Sequence, residues 1–260
     1  MGMETTIEAT FVRLRRLNIF MAVAHLVQGV LMVVISSDYS LPVTTAFLRF
    51  DPLAGRLVQD LDTLVQLRIG PMVAAFLFMS SLAHFAVASP WGFPWYVKNL
   101  RKGANYARWI EYAFSASLMI AIIAMLVGIY DIASLILIFA LNAMMILFGW
   151  MMELHNQSTQ KTDWTSFNFG CIAGAVPWVA IAIYLFGAGA GDGGPPGFVY
   201  GIFASIFVFF NVFAVNMVLQ YRKVGRWRDY LYGERAYVWL SLIAKSALAW
   251  QVFGGTFRGV

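Results

Sequence analysis

Charge is what this 260-residue sequence most lacks: Lys, Arg, Asp and Glu together supply 12% of it. Soluble domains carry about 25%, so the 18 basic and 13 acidic side chains cannot clothe a water-exposed surface for a chain this long. Cysteine is nearly absent as well. The single Cys171 can form no internal bridge, which excludes a disulfide-stapled scaffold. What remains is apolar: 60% of residues are hydrophobic and 16% aromatic, with a mean hydropathy of +0.71. That aromatic content excludes a disordered chain. The composition specifies a polytopic all-α membrane protein.

A spanning helix needs about 20 mainly apolar residues. Seven runs qualify, at roughly 18–35, 69–88, 104–127, 131–152, 167–186, 197–220 and 235–253. The connections between them are mostly short. Gly128 marks a tight turn between the third and fourth runs, and a Gly/Pro-rich stretch at 187–197 precedes the sixth. One seven-helix domain over 1–260 is therefore expected rather than two domains. The connection at 36–68 is the long one on its side. Its Tyr39-Ser40-Leu41-Pro42-Val43-Thr44-Thr45 mixes strand formers with a proline, and a short β-hairpin is expected there.

The net charge of +5 imitates a nucleic-acid-binding protein until the charges are placed. Arg13, Arg15, Arg16, Lys98, Arg101, Lys102, Arg108, Lys161, Arg222, Lys223, Arg226, Arg228 and Arg235 fall on one side of the spans, thirteen in all. The other side has four: Arg49, Arg56, Arg68 and Arg258. Positive charge marks the cytoplasmic side, so the N-terminus is expected in the cytoplasm and the C-terminus outside. The basicity reads as topology and not as nucleic-acid binding. No small-residue cleavage site follows the first apolar run, so no cleavable signal peptide is expected.

The eighteenth basic residue, Lys245, falls midway along the last span. An ionisable group at that depth costs about 2.5–3.5 kcal/mol on insertion scales, and marks a functional site by default. Two readings fit it: a structural ion pair, or a buried amine poised to form a Schiff base. Glu111 is the matching acid, on a third-span stripe with Arg108, Tyr112, Ser115 and Met119. Glu153 falls at the end of the fourth span and reads as an interfacial residue. His25 and His84 lie at similar depth on the first two spans. With Gln28, Ser80 and Ser81 they make either a polar cavity or two separate structural hydrogen bonds. The spans offer no close His/Cys set of the kind zinc needs, so no metal site is expected.

A helix-seven lysine facing a helix-three carboxylate resembles the retinal-binding microbial rhodopsins. The inverted orientation narrows the resemblance to the heliorhodopsins. It is carried by Arg108-Trp109-Ile110-Glu111-Tyr112, Leu147-Phe148-Gly149-Trp150, Phe169-Gly170-Cys171-Ile172-Ala173-Gly174 with Pro177-Trp178, Pro196-Gly197-Phe198-Val199-Tyr200-Gly201, Gly233-Glu234-Arg235-Ala236-Tyr237, and Leu240 through Trp250. The resemblance implies all-trans retinal bound covalently to Lys245, with Glu111 as counterion to the protonated Schiff base. It implies Ser241 hydrogen-bonding near that group, and Tyr112, Ser115, Met119, Gly149, Trp178, Phe210, Asn211 and Trp250 lining the chromophore with Gln28 nearby. It also implies a proton-accepting polar cavity at His25, His84 and Ser80, and a homodimer to which the long first loop contributes.

Outward proton pumps carry a further carboxylate eleven residues beyond the counterion; here that position is Ile122, flanked by Ile120, Ala121, Ile123 and Ala124. A proton leaving Lys245 toward the histidines would return by the same route. The expectation is a light-sensing photoreceptor rather than an enzyme, embedded in membrane lipid and signalling to an unidentified cytoplasmic partner. The alternative is a light-driven or light-gated ion transporter.

Overall fold

The computed structural model describes residues 2–187 and 194–257. In chain order its elements are α1 (Gly2–Ile35), β1 (Ser40–Asp51), β2 (Arg56–Arg68), α2 (Ile69–Ala88), α3 (Gly92–Leu100), α4 (Tyr106–Leu126), α5 (Ile132–His155), α6 (Thr165–Gly187), α7 (Gly197–Tyr221), a 3-10 turn (Gly225–Arg228) and α8 (Tyr230–Phe257). Among the described residues seven helices are long and apolar enough to cross a membrane. They correspond to the seven expected runs. Arg258 and part of the Gly/Pro-rich stretch lie outside the described residues.

The turns follow from local chemistry. The Asn105 side chain caps α4 by accepting from the Arg108 N–H at 3.1 Å, and Asp131 caps α5 by accepting from Ser134 at 2.8 Å. Between them Gly128 takes a φ of 96°, a left-handed conformation that glycine adopts without strain. Pro71 and Pro94 sit in the first turns of α2 and α3, where the missing N–H breaks no helical bond.

α4 forms the middle of the bundle, against α2, α5, α6 and α7. Ile120, Ile122, Ile123 and Ala124 are fully buried there, on all sides of the helix. The opposite pattern holds at the periphery, where Val34, Leu137, Ile172 and Ile183 expose apolar side chains as a lipid-facing surface requires.

Three expectations need correction. The hairpin is not short: β1 and β2 are 12 and 13 residues long, antiparallel, with a bulge after Val43. Its base enters the core through Leu41 and Val43, and the Thr44 N–H donates to the Tyr130 carbonyl at 2.9 Å. A four-residue turn closed by Asp51 Oδ1, which accepts from Leu53 and Ala54, carries the strands far beyond that base. Second, α1 begins at Gly2 and α8 at Tyr230, so Arg13, Arg15, Arg16 and Arg235 lie on helices rather than in connections. Apolar periodicity marks only the stretch that needs lipid, whereas the helices continue past it. Third, α3 adds a short helix where only a connection is expected. It packs Tyr96 and Leu100 against Phe11, Leu14 and Val87 at the end of the bundle rich in Lys and Arg, the basic end.

The entry to α3 is tight. Ser89 Oγ accepts from the Gly92 N–H at 2.9 Å, and a Cβ added at Gly92 would overlap the Ala86 carbonyl oxygen. Backbone cannot swing aside as a flexible side chain can. Gly92→Ala is expected to lower stability by about 1–3 kcal/mol, the range for overpacking, read as a fall in the thermal midpoint of the purified protein.

Candidate functional site

Lys245 and Glu111 meet in the middle of the bundle. Lys245 Nζ lies 2.8 Å from Glu111 Oε1, and the two side chains are only 4% and 8% exposed. Lys245 also donates to Ser241 Oγ, one turn earlier on α8, at 3.0 Å. Ser80 Oγ of α2 donates to the same Glu111 oxygen at 2.6 Å. The Tyr112 ring lies 5.0 Å from Nζ, and its hydroxyl donates to the Tyr237 carbonyl at 3.0 Å. A charged amine in so apolar a setting needs this anion.

An apolar cavity of about 130 Å³ abuts the amine. It runs between α4, α5, α6, α7 and α8, and Tyr112, Met119, Gly149, Phe210, Ser241 and Lys245 are among its walls. Trp109, Met145, Ile146, Phe167, Gly170, Cys171, Phe213, Met217 and Tyr237 complete most of the rest. At Gly149 a Cβ would stand 2.6 Å from the Trp109 ring, so only glycine lets the indole lie against α5.

The other residues named from sequence lie elsewhere. Ser115 is fully buried on α4, one turn beyond Glu111, but is not a wall of the cavity. Trp178 packs edge-on against Phe203, Phe207 and Phe210, and reaches the cavity only through Phe210. Asn211 is exposed and turns back to the Phe207 carbonyl at 2.8 Å. Trp250 is 41% exposed, and its Nε1 donates to Gln28 Oε1 at 3.1 Å on the outside of α8 and α1. The helical phase explains this: five residues beyond Lys245 place Trp250 well off the lysine's face.

His25 and His84 stack with ring centroids 5.7 Å apart and 9° between planes. His84 Nδ1 meets Asn18 Oδ1 at 2.7 Å, while neither nitrogen of the fully buried His25 finds a hydrogen-bond partner among the described residues. Ser81 donates to the Ala22 carbonyl at 2.8 Å instead of facing the histidines. His84 lines a small cavity of about 40 Å³ with Asn18, Tyr96, Asn105, Arg108, Glu111 and Glu234, whereas His25 and Ser80 are not among its walls.

That cavity leads to a cluster that the sequence alone does not disclose. Arg108, which by position is a topological charge, is buried and pairs with Glu153 at 3.0 Å and with Glu234. Glu153 is not interfacial: it is 3% exposed and accepts from the Asn105 N–H, the Trp109 indole and the Tyr230 hydroxyl. The signal that could have found the cluster is spacing. Glu234, Val238, Ser241 and Lys245 share one face of α8, as Arg108 and Glu111 do on α4. Among the described residues no group of three His, Cys, Asp or Glu could hold a metal ion.

An amine beside an apolar cavity, held against a buried carboxylate in a seven-helix bundle, defines the class: a rhodopsin-type membrane protein. The heliorhodopsin family model matches residues 14–257, and the chain belongs to the heliorhodopsin family. It is accordingly a multi-pass, light-responsive retinal protein. No curated protein matches the chain.

Proposed function

We propose that the protein is a light sensor whose retinal is held as a protonated Schiff base at Lys245, with Glu111 as counterion and no net ion transport. The supporting observation is the 2.8 Å Lys245–Glu111 contact at the wall of the apolar cavity. The cavity residues fit such a group. A polyene wants apolar and aromatic walls, Gly149 leaves room beside Trp109, and the amine that would condense with its aldehyde stands at the cavity's edge. When bound, retinal supplies a light-driven change of shape next to the Lys245 nitrogen.

The chain's own residues determine the response to that change. Glu111 and Ser241 hold the nitrogen's proton, and Ser80 steadies the carboxylate. The small cavity with His84 lies between Glu111 and the Arg108 and Glu234 side chains of the basic end. Toward the hairpin end, α4 presents only buried apolar side chains from Met119 to Leu126. A proton can therefore leave and return on one side only, which changes conformation without moving charge across the membrane. The excess of Lys and Arg supports a cytoplasmic basic end, with the N-terminus inside and the C-terminus outside. Exposed Phe47, Leu48, Phe50 and Leu61 on the hairpin support pairing of two copies outside the membrane.

Two measurements test this. All-trans retinal added to the apoprotein is expected to give a visible band, and Glu111→Gln to shift it to the red and to make it bleach at lower pH, because the positive nitrogen loses its anion. An unchanged spectrum and titration would place the counterion elsewhere. Illuminated cells in unbuffered medium are expected to show no sustained pH change or current; sustained flux would make the protein a transporter.

A further inference from the structure

The Lys245–Glu111 pair is electrically complete, whereas the Arg108 cluster is not. One guanidinium faces two carboxyl groups, Glu153 at 3% exposure and Glu234 at 0%. Asn105 ties the two acids together: its backbone N–H donates to Glu153 Oε2 at 2.9 Å and its side-chain amide to Glu234 Oε2 at 2.8 Å. With both acids ionised the cluster would bury one unmatched negative charge, which a low-dielectric interior does not tolerate.

Among the described residues no neighbouring cation supplies the balance. On α8, Tyr230 and Tyr237 are phenols, and Arg235 turns away to the Leu231 carbonyl and the Tyr232 ring. On α4, Glu111 adds negative charge, and the buried ammonium of Lys245 already belongs to it. Asn18 of α1 and His84 of α2 are occupied with each other. From α3 comes Tyr96, whose hydroxyl is pushed well above the usual phenol range by burial and by Glu234. Lys102, Lys223 and Arg228 are exposed, on the rim of an outer cavity beside Glu153.

We propose that Arg108, Glu153 and Glu234 form a second proton-holding site, in which the two carboxyl groups share one exchangeable proton. Its position gives it a role. Glu234 lines the inner cavity of about 40 Å³ together with Glu111 and His84. Glu153 lines the outer cavity of about 320 Å³ at the basic end, with Lys102, Lys223 and Arg228. The site thus separates the two cavities and touches both. With one proton its charge is zero. Resting on the proposed Schiff base at Lys245, a proton that leaves the Lys245 nitrogen leaves Glu111 as an unmatched anion. The same proton taken up by the remaining carboxylate makes the cluster +1 across the same small cavity. One N–H bond breaks, one O–H bond forms, and the inner cavity stays neutral as a whole.

Infrared spectroscopy of the apoprotein grown with carboxyl-labelled glutamate tests the dark state without any chromophore. At neutral pH one protonated glutamate carbonyl band is expected, sensitive to the label and shifting on transfer to heavy water. Glu153→Gln and Glu234→Gln should each remove it, since a single remaining carboxylate is matched by Arg108 with no proton. Glu111→Gln should leave it. Absence of the band in the unmodified protein, its loss in Glu111→Gln with retention in the other two, or its loss in only one of Glu153→Gln and Glu234→Gln, overturns the shared proton. If a variant fails to fold, the labelled wild-type band and its pH titration still decide. In retinal-loaded protein, illumination should add a second glutamate carbonyl band, and its absence in a pigment that does release its proton would overturn the light-driven uptake. Failure of pigment to form at all, with the dark band present, counts against the chromophore reading and leaves the dark-state site standing.

Discussion

Lys245→Ala is expected to abolish the retinal-dependent visible band altogether and to lower the stability of the apoprotein by about 3–5 kcal/mol, the range for removing one partner of a buried ion pair. Both effects follow from the same atom. Nζ makes the 2.8 Å contact with Glu111, donates to Ser241 and faces the Tyr112 ring. Without it Glu111 keeps the Ser80 hydroxyl as a donor but no cation, at 8% side-chain exposure. The double variant Lys245→Ala/Glu111→Gln removes the stranded charge, so most of the stability should return while the band stays absent. This separation matters because a collapsed single variant would lose colour for the wrong reason. Thermal unfolding, with spectra after incubation in all-trans retinal, reads both quantities. A band retained in either variant would move the attachment point away from Lys245. If the single variant matches wild-type stability, Glu111 has been neutral or solvated all along.

The difference between the Lys245 pair and the Arg108 cluster also explains what the sequence could show. Spans announce themselves through apolar length, and a charge inside one is conspicuous, so Lys245 and Glu111 are visible from composition and position alone. The Arg108 cluster is hidden by the same rule. Arg108, Glu153 and Glu234 sit near helix ends, where the positive-inside pattern and the water interface give every charge an innocent explanation. They are enclosed by the Asn105 turn before α4 and by Tyr230 at the early start of α8, features with no span-length apolar signature. Nor could the sequence fix which aromatics face the cavity. Trp178, Phe210 and Trp250 are chemically alike, yet only Phe210 lines it, and the choice rests on the helix phase and on how α6 and α7 approach one another. The hairpin is legible in kind and not in length, because Phe47, Leu48 and Leu61 are interspersed with polar residues as on any surface strand.

Arg108→Met should be the most destabilising change at the basic end, by about 3–5 kcal/mol, because it removes the cation that both buried acids share. Methionine keeps much of the side chain's length and apolar contact, so the loss isolates charge and hydrogen bonding rather than volume. Three helices depend on the guanidinium: it issues from α4, pairs with Glu153 of α5 and with Glu234 of α8, and lies 4.4 Å and 4.1 Å from the Trp109 and Tyr237 rings. The size of the rescue discriminates between charge states. If the acids already share one proton, Arg108→Met strands a single charge that the remaining glutamate still carries, so Glu153→Gln or Glu234→Gln alone on the Arg108→Met background should recover little of the loss; recovery of about half by each would mean that both acids are ionised. Replacing both acids should recover most of it, since two amides retain the Asn105, Trp109 and Tyr230 contacts without ionisation. Equal stability of Arg108→Met and wild type would mean that the cluster is held by its neutral hydrogen bonds and that its charge is not a structural constraint.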